Sequence, residues 1–115
     1  MKIYVIHTLG RRHGLSELEC EINTLKSIEC GRELIKKGHN PFIPNLYWYV
    51  HKAWPESPNE GGWFKMVSDW LQFCDAVFVG AIPDWEDSGV HREIKMAVEL
   101  GIPVYYRLED VPDAV

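Results

Sequence analysis

Cysteine is scarce in this sequence and none of it is spaced to hold a metal. The 115 residues contain Cys20, Cys30 and Cys74, an odd number without CxxC spacing, which argues against a zinc site or a disulfide framework. Cys20 and Cys30 fall in a helical pattern and Cys74 ends another, so all three read as small buried apolar residues. The five histidines (His7, His13, His39, His51, His91) form no HxH or HExxH pair, and neither metal nor cofactor is expected. No apolar run approaches the roughly 20 residues of a membrane span, and no signal-peptide pattern opens the sequence. Met1 to Ile6 reads instead as the first strand of the domain, so no membrane partner and a cytoplasmic location are expected. Positive charge is also short: 12 Lys and Arg stand against 17 Asp and Glu, a net charge of −5. That balance excludes a broad phosphate-neutralising face, so no nucleic-acid partner is expected, while a small nucleotide needs only a local patch. There is no internal repeat and no low-complexity segment. The length suits one domain, 1–115.

What is present alternates between strand-like and helix-like periods. Residues 2–7 are β-branched and apolar, and a loop through Gly10, Arg11, Arg12 and Gly14 follows. Ser16 precedes Glu19 by three positions, a capping box, and Leu18, Ile22, Leu25, Ile28 and Ile35 recur at helical spacing. Lys36, Lys37 and Gly38 then end a helix over about 16–37 whose apolar stripe is expected to lie on a sheet. A short strand is predicted at 41–43. Residues 44–62 carry turn formers and the aromatics Tyr47, Trp48, Tyr49 and Trp54, and read as a long binding or lid loop. These aromatics suit either stacking on a ring or burial against another subunit. A helix over about 61–73 places Trp63, Met66, Val67, Trp70 and Leu71 on one side. The run from Asp75 to Ala81 has the apolar continuity of a strand buried on both faces. A last helix, about 88–100, turns Val90, Ile94, Ala97 and Val98 inward, and Pro103 to Tyr106 gives the last strand. The order predicts an α/β fold: a doubly wound, flavodoxin- or Rossmann-like parallel sheet of about four strands in three α/β/α layers. Ligands of such sheets sit beyond the carboxyl ends of the strands, where 8–15, 44–60 and 81–89 meet.

The stretch from Ile82 to Glu93 concentrates the candidate chemistry. Four acids (Asp84, Glu86, Asp87, Glu93) crowd the rim, Asp87 or Ser88 can cap the last helix, and Gly89 lets a ligand approach the backbone. Glu93 lies four residues after Gly89, on the same side of the helix and at the edge of its apolar stripe. It is placed either to serve a cleft or to pair with Arg92, Lys95 or another surface charge.

These residues resemble the nucleoside 2-deoxyribosyltransferase superfamily. The resemblance rests on Lys2-Ile3-Tyr4, Gly38-His39-Asn40-Pro41, Asp69 with Cys74-Asp75-Ala76-Val77, and Gly89-x-x-x-Glu93 followed by Leu100-Gly101-Ile102-Pro103-Val104. It covers nearly the whole chain, and Trp85-Glu86-Asp87-Ser88 draws it closest to small phage and bacterial members of unassigned activity. The resemblance implies that Glu93 is a nucleophile, that Tyr4 orients it, and that Asp69 takes part in catalysis. It further implies a substrate-binding rim of Asp84, Asp87, Ser88, Gly89, Gly10 and Arg11. The implied reaction is hydrolysis or transfer of the N-glycosidic bond of a nucleoside or nucleoside 5′-monophosphate, with Asp69 or Asp84 supporting protonation of the base. Two carboxyl groups in different environments suit an oxocarbenium-like transition state, one to capture the sugar and one to protonate the base.

Within that family, relatives acting on 5′-monophosphates carry a serine where this chain has Asp87, which favours an uncharged 5′-hydroxyl. Arg11 and Arg12, by contrast, suit a phosphate. Family members often complete their sites with a neighbouring subunit, so a homodimer or larger homo-oligomer is expected. The alternative is a non-catalytic module of the same fold that binds a nucleotide-derived ligand without turnover.

Overall fold

The computed structural model describes residues 1–83 and 89–114. Four strands form one sheet in the order β2-β1-β3-β4: β1 Lys2–Ile6, β2 Asn40–Phe42, β3 Ala76–Val79 and β4 Val104–Tyr105. All neighbours are parallel, with Ile3 opposite Ala76, Lys2 opposite Asn40 and Val77 opposite Val104. The helices are α1 Glu17–Lys36, α2 Tyr47–His51, α3 Glu60–Leu71 and α4 Gly89–Glu99. Strand period sorts the core into two layers. Tyr4, Ile6, Val77 and Val79 face Leu71 of α3 and Val90 and Ala97 of α4, whereas Ile3, Val5, Ala76 and Phe78 face Leu34 of α1 and Val111. The predicted doubly wound α/β architecture is therefore present. Its strand order reverses between β1 and β3, which places a crevice beyond their carboxyl ends.

α1 begins and ends as its sequence indicates. Ser16 Oγ accepts from the Glu19 amide at 3.1 Å, and Glu19 Oε1 accepts from the Ser16 amide at 3.2 Å. At the other end Gly38, at φ +90°, turns the chain, and the His39 amide donates back to the Leu34 carbonyl at 3.0 Å. The face that α1 presents to the sheet is the reverse of the expected one. Cys20, Thr24, Ser27, Gly31 and Leu34 are buried, while Leu18 and Ile35 are 68% and 58% exposed, with Ile22 and Leu25 exposed beside them. The reason is close approach. A Cβ on Gly31 would stand 2.4 Å from Ile43 Cδ1, so glycine lets the helix approach the sheet edge without displacing the Ile43 side chain. Thr24 and Ser27 bury their hydroxyls at little cost because they donate to the helix's own carbonyls of Cys20 and Thr24, at 2.9 and 2.6 Å.

Three smaller expectations also change. The 44–62 segment is largely structured: a 3-10 turn, Pro44–Leu46, leads into α2, whose buried Trp48 donates through Nε1 to Glu21 Oε1 of α1 at 3.3 Å. Trp70 lies against Phe42, ring centroids 5.6 Å apart, and remains half exposed because α3 buries its 67/71 edge more deeply. Val98 is 66% exposed, one residue past Ala97 on the far side of α4. At the amino edge of the sheet, the Met1 ammonium donates to His39 Nδ1 at 2.9 Å. His39 Nε2 donates to the Pro112 carbonyl at 2.6 Å.

Among the described residues no helix is long and apolar enough to cross a membrane, and no group of three or more His, Cys, Asp or Glu is placed to hold a metal ion.

Candidate active site

The chain leaving β1 forms the floor of the crevice. Gly10, at φ +95°, starts a 3-10 turn, Arg11–His13, and a Cβ there would lie 2.0 Å from Leu15 Cδ1, so this tight path requires glycine. Two side chains fix the loop by its carbonyls: Asn45 Nδ2 donates to Thr8 O at 3.1 Å, and Asn23 Nδ2 to Leu9 O at 3.0 Å. His7 Nδ1 also donates to Thr8 O, at 2.8 Å, and burial lowers the imidazole pKa, which keeps the ring neutral. Above this floor is a cavity of about 140 Å³, walled by the β1 loop, by Trp63, Phe64 and Val67 of α3, and by Gly89, Val90, Arg92 and Glu93 of α4.

Glu93 is the central group. It sits one turn into α4, on the same side as Gly89, and a Cβ built on Gly89 would be 3.8 Å from both Glu93 Oε1 and Phe64 Cδ2. Burial among these walls raises its pKa from the usual carboxylate range to about 7, against the opposing pull of Tyr4 and the Arg92 charge. Tyr4, fully buried in β1 against Phe42, has its hydroxyl pKa pushed well up by burial and by the neighbouring Glu93. The hydroxyl faces the carboxylate closely enough to favour its charged form, but without full hydrogen-bond geometry. Tyr4 Oη and Glu93 Oε2 thus both keep unused hydrogen-bonding capacity. Two cavity residues add buried, unpartnered polar atoms, Thr8 Oγ1 and Arg92 Nε. Natural proteins rarely leave such atoms orphaned; three of the four, on Thr8, Arg92 and Glu93, belong to residues that line this cavity, which suits it to a polar ligand.

A second set of polar groups closes the side of the cavity. Arg11 Nε donates to Glu60 Oε1 at 2.7 Å and Arg11 Nη1 to the His51 imidazole at 2.6 Å, while His51 and Trp63 Nε1 both meet Ser57 Oγ, at 2.6 and 2.9 Å. His51 accepts from a cation, and its pKa is lowered by burial and then by Arg11, so the neutral ring is the form that fits.

The crevice thus brings together Glu93, Tyr4, Gly89, Gly10 and Arg11 of the residues singled out from the sequence. Asp69 does not join them. The cavity is lined by the Trp63, Phe64 and Val67 side of α3, and Asp69, two residues past Val67, lies about 200° around the helix, where it is exposed. Asp84, Asp87 and Ser88 lie outside the described residues, as does the expectation of an acidic rim. Thr8, His51, Glu60 and Phe64 were not singled out by the sequence as site residues; each becomes visible only when segments distant in sequence meet.

The chain matches no family model and no curated protein sequence. Among solved structures it is similar to a 2-deoxyribosyltransferase from the psychrotolerant bacterium Bacillus psychrosaccharolyticus, with a TM-score of 0.61 at 22% identity over 90% of this chain and 69% of that one. That likeness establishes a 2-deoxyribosyltransferase-like fold.

Proposed function

We propose that this protein cleaves the N-glycosidic bond of a nucleoside or nucleoside 5′-monophosphate, by hydrolysis or by transfer to a second base, with Glu93 as nucleophile. The observation that carries this reading is a buried carboxylate with an unfilled oxygen, aimed into a crevice at the topological switch point and faced by a buried tyrosine. A fold alone hosts many functions, so the argument rests on this constellation, with the similar deoxyribosyltransferase as supporting analogy.

In the proposed reaction a Glu93 carboxylate oxygen attacks C1′, the C1′–N bond breaks, and the base leaves with the bonding pair and takes up a proton. The resulting glycosyl ester is resolved at C1′ by water or by the ring nitrogen of an incoming base, which regenerates the carboxylate. Tyr4 orients Glu93 and donates towards its charge. The family resemblance implies Asp69 or Asp84 as the acid that protonates the base; Asp69 is exposed on the far side of α3, and Asp84 lies outside the described residues. Only ionised Glu93 attacks, and its carboxyl titrates at about 7, so turnover should rise as pH rises through that value.

The test is base release from a panel of deoxynucleosides, ribonucleosides and their 5′-monophosphates, with and without an acceptor base. Release by the native protein and its loss in Glu93→Gln support the reading. Full activity in Glu93→Gln, or tight ligand binding with no turnover in the native protein, would overturn it and leave a binding module.

A further inference from the structure

Arg92 occupies an unusual position for a cation. Its guanidinium carbon lies 4.0 Å above the centre of the Phe64 ring, its Nε is buried without an acceptor, and it forms part of the cavity wall directly before Glu93. The side chain is partly buried, and a partly desolvated cation is favoured by negative charge nearby. Two described carboxylates line this cavity. Glu60 is already bonded to Arg11, which leaves Glu93. Arg92 and Glu93 make no direct ion pair, yet the positive charge still favours the ionised carboxylate across the low-dielectric wall. Phe64 serves both partners: its face carries the guanidinium, and its edge lies beside the space shared by Gly89 and Glu93.

We propose that Arg92, held flat against Phe64, is a positioning residue that keeps Glu93 charged and turned into the cavity. This assigns a function to a residue adjacent to the nucleophile and to an aromatic 28 positions away in sequence, and it rests on the proposed role of Glu93. The other described titratable groups that line this cavity or adjoin Glu93 are Tyr4, His7, Arg11, His13 and Glu60. Tyr4 on β1 favours its charge, neutral His7 closes the end of β1, and Arg11 and Glu60 neutralise each other across the cavity. α3 otherwise presents Trp63 and Val67, which carry no charge. The acids at 84, 86 and 87 lie outside the described residues.

The experiment follows the Glu93 carboxyl directly, by carbon-13 NMR of labelled glutamate, with Glu93→Gln identifying the signal. Arg92→Met should raise the Glu93 titration midpoint by roughly half a pH unit, the size expected on losing an opposite charge that is near but not in direct contact. Phe64→Leu should move it in the same direction by less, because the guanidinium loses its platform, and Arg92→Lys should fall between. The pH profile of base release should shift in parallel. An unmoved midpoint in Arg92→Met overturns the proposal; if that variant does not fold, an unmoved midpoint in both Phe64→Leu and Arg92→Lys does so. A shifted carbon signal in a protein that releases no base would uphold the Arg92 role and defeat the glycosidase reading instead.

Discussion

α1 and α4 pack on opposite faces of one sheet and use their apolar residues in opposite ways. α4 follows the common rule, burying Val90, Ile94 and Ala97 towards Ile6, Val77 and Val79. α1 buries Thr24, Ser27 and Gly31 and leaves Leu18, Ile22, Leu25 and Ile35 in solvent. The difference lies in the side chains through which each helix meets the sheet. α1 approaches through glycine and small hydroxyl side chains bonded to their own helix, whereas α4 meets the sheet through valine, isoleucine and alanine. The start of α4 borders the cavity, and Glu93 one turn in turns a buried, unpartnered Oε2 to that side of the sheet. One face of the sheet is closed for packing; the other is left open for chemistry.

The comparison breaks most visibly at Glu93. Glu93→Gln should lower base release by at least about a thousandfold, since removal of a covalent nucleophile forfeits several kcal/mol of transition-state stabilisation; steady-state rates at pH 8 measure it. On the closed face, Gly31→Leu should destabilise by roughly 1–3 kcal/mol, because the added side chain overpacks against Ile43 and Pro41. Urea unfolding checks this, and an unchanged midpoint would show that the close approach is not structural.

Glu93 also links the site to stability. The folded protein holds this proton up to about pH 7, whereas the unfolded chain releases it near 4.5, so the folded state binds more protons between those values. Stability from this group is complete below about 4.5 and is lost as pH rises to about 7. Glu93→Gln should therefore stabilise by about 3 kcal/mol at pH 8 and by almost nothing at pH 4, read as the difference in melting curves at the two pH values. The smallest effect is expected on the outer face of α1. Leu25→Gln should change monomer stability by no more than about 0.5 kcal/mol, and light scattering of the same variant shows whether that apolar stripe serves association.

Much of this arrangement was legible in the residues. β1 and β3 declare themselves by unbroken apolar runs, α1 by its capping box, and Glu93 by its spacing from Gly89 together with its place at the edge of an apolar stripe. The inward face of α1 was not legible. Periodicity locates a stripe but takes its apolar side as the buried one, and only the meeting of Gly31 with Ile43 reverses that. Asp69 shows the converse: the spacing of Trp63, Val67 and Leu71 already points the cavity side of α3 away from it, and likeness to a family motif had drawn it in. The Arg92–Phe64 contact and the Arg11–Glu60–His51 cluster join segments 28 to 49 residues apart, and no local pattern announces either.

The imidazole of His39 touches Met1 through one nitrogen and the Pro112 carbonyl through the other, so a single ring ties the residue before β1 to the segment after β4. The two segments are therefore coupled: whatever loosens one deprives the other of its partner.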